Sequence, residues 1–192
     1  MWSPTVIDTP PVVALVDASR NLAGWESDVC DRLFTAMARR GLRMAGEGAS
    51  RVGEPGALAL HGEALATASC VLLVGPGGET APPAGAELRG YWGWLRANLA
   101  GQKLMAVCSW ENHDPALTHD VLKAADDFAP LAVAQQSPVS ARAGSLFLLK
   151  FFSELDLHSE GRMTGRMVWF SWSKAKELLK RRGLEGSFGL RA

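Results

Sequence analysis

Cys70-Val71-Leu72-Leu73-Val74, followed at once by Gly75-Pro76-Gly77-Gly78, is the stretch whose reading decides the fold. Five apolar residues in a row, with no polar alternation, describe a strand covered on both faces, which is the condition of a strand inside a parallel sheet. The glycine-proline run then ends it sharply. Working outward, the same kind of run recurs at Val12–Val16, at Lys103–Val107 and at Leu131–Ala134. Helical patterns lie between them. Trp25, Val29, Leu33, Phe34 and Met37 fall on one face of a helix from Trp25 to Arg40, with Gly41 as its stop. A weaker strand at Leu42–Ala45 leads into a Gly-rich loop, Gly46–Gly56, and helices are predicted over Ala57–Ala68, Ala86–Leu99 and Pro115–Phe128. Strand and helix in alternation predict an α/β fold, a three-layer sandwich with a mostly parallel central sheet, formed as a single domain over residues 1–192.

Two helices close the chain. Ala141–Leu155 is apolar nearly all round, at Leu146, Phe147, Leu148, Leu149, Phe151 and Phe152, which predicts burial against a sheet or a partner. Met163–Arg182 carries Trp169, Phe170 and Trp172, and Ser187–Leu190 is predicted as a terminal strand. An exposed aromatic on that helix would mark a protein contact.

Hydrophobic residues make up 47% of the 192, and twenty basic residues balance twenty acidic ones. A net charge of zero argues against a nucleic-acid or anionic-membrane surface, which would need clustered positive charge. The basic run Lys180-Arg181-Arg182 complements the dipole at a helix end. No apolar run approaches the ~20 residues that span a bilayer, and the Pro-rich start, Met1–Pro11, has no signal-peptide pattern. Three widely spaced cysteines form neither a disulfide framework nor a metal-ligand spacing, so a reducing, cytoplasmic setting is expected. No cofactor is implied: Gly75–Gly78 lacks the third spaced glycine of a dinucleotide fingerprint and the Lys-Ser/Thr of a phosphate loop.

Ligands of open α/β sheets gather where strands end at the carboxyl edge. Three loops should lie side by side there: Gly75–Glu79, Cys108–Asp114 and Gln135–Ser140. Cys108 is the cysteine placed to act as a nucleophile, provided that a base or positive field lowers its pKa from about 8.5. His113, five residues on in the same loop, is the candidate base; His61, His119 and His158 lie elsewhere. Cys30 and Cys70 read as small buried residues.

The order of these parts resembles the CHAT domains, caspase-like cysteine peptidases. Asn98–Cys108 is similar to the segment leading to that family's catalytic cysteine, and Ala129–Ser140 to its next strand and Pro-Val-Ser turn. Phe151–Leu155 is similar to its following helix, and Ser187–Leu190 faintly to its closing strand, so the resemblance covers about residues 86–190. It implies a Cys–His dyad with histidine in a Gly-His-Gly turn. Here that turn reads Gly75-Pro76-Gly77, and proline can neither take nor give a proton. An acidic residue is implied after Pro-Val-Ser, where Ala141 and Arg142 stand.

Three functions stand as expectations. The first is a caspase-fold domain without its catalytic histidine, acting through a protein partner as scaffold or regulatory module in bacterial signalling or defence. The second is an active cysteine endopeptidase using Cys108 with His113. The third is a flavodoxin-like domain that binds a small ligand. A deep polar pocket at the strand ends without Cys108 in its wall would favour the third.

Overall fold

The computed structural model describes residues 6–17, 25–51, 66–74, 103–110, 115–126 and 129–191. In chain order the elements are β1 (Val6–Ile7), β2 (Val13–Asp17), α1 (Trp25–Arg39), β3 (Ser50–Arg51), β4 (Cys70–Val74) and β5 (Leu104–Cys108). Then come α2 (Pro115–Ala124), β6 (Leu131–Gln135), α3 (Ala141–His158), β7 (Met163–Thr164), α4 (Gly165–Arg181) and β8 (Phe188–Arg191).

All four apolar runs become strands buried at every residue. They pair in parallel as neighbours, β2 with β4, β4 with β5, and β5 with β6, in one continuous register. The sheet order is β3-β2-β4-β5-β6-β8. Counting only the parallel strands, this is 2-1-3-4-5, the doubly wound order of flavodoxin-like folds. β8 closes one edge antiparallel to β6. The other edge differs from expectation. Leu42–Ala45 contributes only a bridge from Met44 to Val13, and the edge strand is Ser50–Arg51, inside the stretch expected as loop.

Period-two alternation sorts the sheet residues onto two faces. Val13, Leu15, Cys70, Leu72, Leu104, Ala106, Cys108 and Val133 share a core with α1, α3 and α4. Ala14, Val16, Val71, Leu73, Met105, Val107, Ala132 and Ala134 face the other way, with Leu122 of α2 packed against them. Helices therefore cover both faces, as the three-layer reading requires. α1 stops at Gly41, whose φ of 79° closes the turn where a side chain would be strained. Ser140 and Thr164 cap α3 and α4 by accepting from Ala143 N and Met167 N.

α3 buries most of its apolar surface inside the fold, though Leu157 near its end is 74% exposed. It lies between the sheet, α1 and α4, and eight of its residues, including Phe147, Phe151, Phe152 and Leu155, are buried there. Trp172 is half-buried, and its indole donates to Phe188 O at 2.8 Å. His158 meets Phe170 edge-on at 4.9 Å. Trp169 is 39% exposed, an isolated edge rather than a patch. Most of the apolar surface that suggested a protein contact is thus spent inside the fold, with Leu157 and Trp169 left exposed. Among the described residues no helix is long and apolar enough to cross a membrane.

The centre of this core is a ring stack. Phe147 lies 3.8 Å from Phe188 and 6.1 Å from Phe151, centroid to centroid. Phe147 is fully buried, so Phe147→Ala should cost about 3–5 kcal/mol. Urea unfolding would measure it, and a loss under about 1 kcal/mol would show that β8 is not anchored through this stack.

Candidate functional site

The carboxyl ends of β5 and β6 are tied by one side chain. Gln135, the last residue of β6, is 1% exposed and spends its whole amide on the neighbouring strand exit. Its Oε1 accepts from Ser109 N at 2.8 Å and from the Cys108 thiol at 3.1 Å. Its Nε2 donates to Trp110 O at 2.5 Å and to Ser137 O at 2.8 Å. Burial makes this arrangement consequential, because each backbone group left without a partner would cost about 1–3 kcal/mol.

Trp110 is held in an uncommon conformation by the same knot. Its φ is 51°, in the left-handed region, and it is 3% exposed. Its carbonyl also accepts from Val139 N at 3.3 Å, which links it to the turn before α3. The indole packs on α3 where Gly144 has no side chain; a Cβ there would come within 2.5 Å of the ring and 3.2 Å of Cys108 Sγ. The indole Nε1 is buried without a hydrogen-bond partner among the described residues.

Cys108 therefore lies at the strand end as expected, but buried instead of at an open loop mouth. The strand does deliver it to the carboxyl edge beside Gln135, but its side chain turns into the core, and it is fully buried. Burial pushes its thiol up to about 12, against a small lowering by the Trp110 backbone. A nucleophile needs the reverse, a thiolate near neutral pH. His113, Pro76 and His61 lie outside the described residues. His119 is exposed on α2, and His158 is 3.4 Å from Glu154 on α3. Cys30 and Cys70 are buried as expected, and burial pushes Cys70 up to about 12 as well. Among the described residues no group of three or more His, Cys, Asp or Glu is placed to hold a metal ion. The carboxyl end of β2 brings one residue that sequence reading passes over, Asp17, which is 1% exposed.

A pocket of about 380 Å³ opens on the α2 face of β6 and β8. Its floor is Ala132, Ala134 and Gly189, where Ala134 pairs with Gly189 across the two strands. Thr118, His119 and Leu122 of α2 form one wall, and Gln136 and Arg191 stand at opposite ends. Cys108 is not part of its lining. Arg191 donates to Asp126 Oδ1 and to Ala129 O at 2.6 Å, while its Nε is buried without a hydrogen-bond partner among the described residues. Gln136 lies close over Gly189, where a Cβ would come within 2.7 Å of its amide carbon. No sequence pattern signals this pocket, because small residues mark a cavity only once their register across two strands is known.

No family model matches the chain, and no curated protein matches it. Among solved structures, FerB, a flavoenzyme NAD(P)H:(acceptor) oxidoreductase from Paracoccus denitrificans, is similar over 92% of this chain and 100% of its own, at 13% identity and a TM-score of 0.46. At that level the likeness says nothing about activity. The CHAT assignment is corrected: no family model matches the chain, and Cys108, the expected nucleophile, is buried beneath Trp110 and α3.

Three outcomes are expected. Gln135→Ala should destabilise by roughly 2–5 kcal/mol, and Gln135→Glu should fail similarly, because the Trp110 and Ser137 carbonyls need donors. Full stability in Gln135→Glu by urea unfolding would refute the knot. A thiol reagent at pH 8 should label none of the three cysteines in the folded protein and all of them in denaturant. The raised pKa also sets a sign: stability from keeping Cys108 protonated is complete below its ordinary value of 9.0 and is lost as pH climbs toward about 12. Cys108→Ala should lessen that alkaline decline, leaving the part that belongs to Cys70, whereas rapid labelling of Cys108 at pH 6 would contradict its burial.

Proposed function

We propose that this chain is a flavodoxin-like domain that binds a small ligand, and that the ligand occupies the pocket between α2, β6 and β8. The observation that carries the reading is the pocket itself, about 380 Å³ with no part of its wall contributed by Cys108. Ligand sites commonly measure about 300–1,000 Å³ and combine an apolar lining with a few convergent polar groups. The alanine and glycine floor supplies the first, and Thr118, His119 and Gln136 supply the second. Gln136 also brings the pocket to the carboxyl edge of the sheet, the side on which open α/β folds bind.

The reading is tested by thermal unfolding and calorimetry with flavin mononucleotide, adenosine monophosphate and small aromatic amides as probes. Flavin mononucleotide is included because the 2-1-3-4-5 order is shared with flavin-binding folds. A ligand present at 100 times its Kd should add about 2.7 kcal/mol of stability, a rise in Tm of roughly 5–10 °C for a domain this size. Ala134→Leu, which fills the floor, should abolish the rise. No saturable binding of any probe, or binding that Ala134→Leu leaves unchanged, would overturn the proposal.

A further inference from the structure

We infer that the outer flank of α4 is a docking surface for an acidic helical segment of another protein, a contact separate from the pocket. The net charge of zero conceals a segregation of charge along the chain. From Arg162 to Leu184 there are seven cations and one carboxylate, Glu177, so the other residues hold thirteen basic side chains against nineteen acidic ones. Glu177 is spent within its own helix, on Lys174 at 3.5 Å and on Arg181. Arg166, Lys176 and Lys180 are exposed and make no ion pair among the described residues.

Helix geometry gathers these charges. Gly165, Val168, Ser171, Ala175 and Leu179 form the buried side of α4. Arg166, Trp169, Ser173, Lys176 and Lys180 fall together on another flank, within about 80° of arc and about 21 Å of length. No acidic residue of α4 shares that flank, and Trp169 on it is 39% exposed. Trp and Arg are the side chains that most often dominate binding energy at protein interfaces, and here they stand three residues apart.

Other polyanions fit this stripe less well. Single-stranded nucleic acid needs successive rings for its bases to stack on. Phe170 has Lys174 over it at 5.5 Å and His158 at its edge at 4.9 Å, and Trp172 lies under Lys176 at 4.4 Å. An anionic membrane needs an apolar helix face to bury, and that face of α4 is packed in the core. A second copy would set one basic flank against another in a two-fold contact. A partner helix with carboxylates one turn apart matches the four-residue spacing of Lys176 and Lys180, with an apolar side chain to meet Trp169.

Fluorescence anisotropy tests this with a labelled helical peptide of about 20 residues, bearing glutamates at i, i+4 spacing around one leucine. Oligouridine and phosphatidylserine vesicles serve as parallel probes. The peptide should bind wild type with a Kd on the order of 10 μM, as a small transient contact does, and more weakly as salt is raised. Trp169→Ala should weaken binding at least about tenfold. The double variant Arg166→Glu with Lys180→Glu should weaken it as much, and a peptide with lysine in place of glutamate should bind that variant and not the wild type. All three positions are exposed, so urea midpoints should stay unchanged. Failure of the peptide to bind, binding that either variant leaves unchanged, or tighter binding of oligouridine or vesicles would overturn the proposal. A dimer in sedimentation that the double variant dissolves would also overturn it, by making a second copy the occupant.

Discussion

The side-chain amide of Gln135 lies fully buried between two strand exits, and four groups there depend on it. Parallel strands leave the sheet at one edge, and their first loop residues carry backbone groups that the ladder no longer pairs. Gln135 answers that problem for β5 and β6 together, with two acceptor contacts and two donor contacts from a single planar group. The neighbouring structure is fixed by it. Trp110 is held with a φ of 51°, its ring is pressed onto the gap at Gly144, and α3 docks close to the sheet. The thiol of Cys108 is then one more donor in a dry knot. Its proton is held up to about 12 because nothing around it stabilises a negative charge as water would.

The same sheet has opposite characters on its two sides near β6. Toward α3 it is filled by large side chains, with Phe147, Phe151 and Phe188 stacked in the core. Toward α2 the corresponding positions are Ala132, Ala134 and Gly189, and a pocket remains. Rigidity on one side makes the vacancy on the other usable. A ledge anchored by the ring stack and by the Gln135 knot cannot collapse to fill the space, so a ligand that enters need not first order its own site.

Much of this fold is legible in residue patterns because burial on both faces leaves an unmistakable trace. Cys70–Val74 and Leu131–Ala134 can be continuous apolar runs only where helices cover both sides. The edge strand Ser50–Arg51 leaves no such trace, since two polar residues pair there through backbone alone. The place of Cys108 at the end of its strand is readable from the sequence, but its burial is not. That burial depends on the turn at Trp110 and on the missing Cβ of Gly144, a contact between distant residues that no local pattern records. The CHAT resemblance rests on the order of a strand, a cysteine and a Pro-Val-Ser turn, an order that any doubly wound sheet of this length can present. The pocket is invisible for a simpler reason, that it is made by side chains that are absent.

Amide chemical-shift mapping of the folded protein during titration with benzamide would decide whether the α2 pocket is the ligand site, because it reports where a ligand sits without presuming its affinity. Shifts should concentrate at Thr118, His119, Ala132, Ala134, Gln136 and Gly189, with Ser109 and Gly144 on the opposite face of the sheet nearly still. Shifts centred on Ser109, Trp110 and Gly144 instead would place the functional site at the knot around Cys108 and contradict the assignment of the pocket.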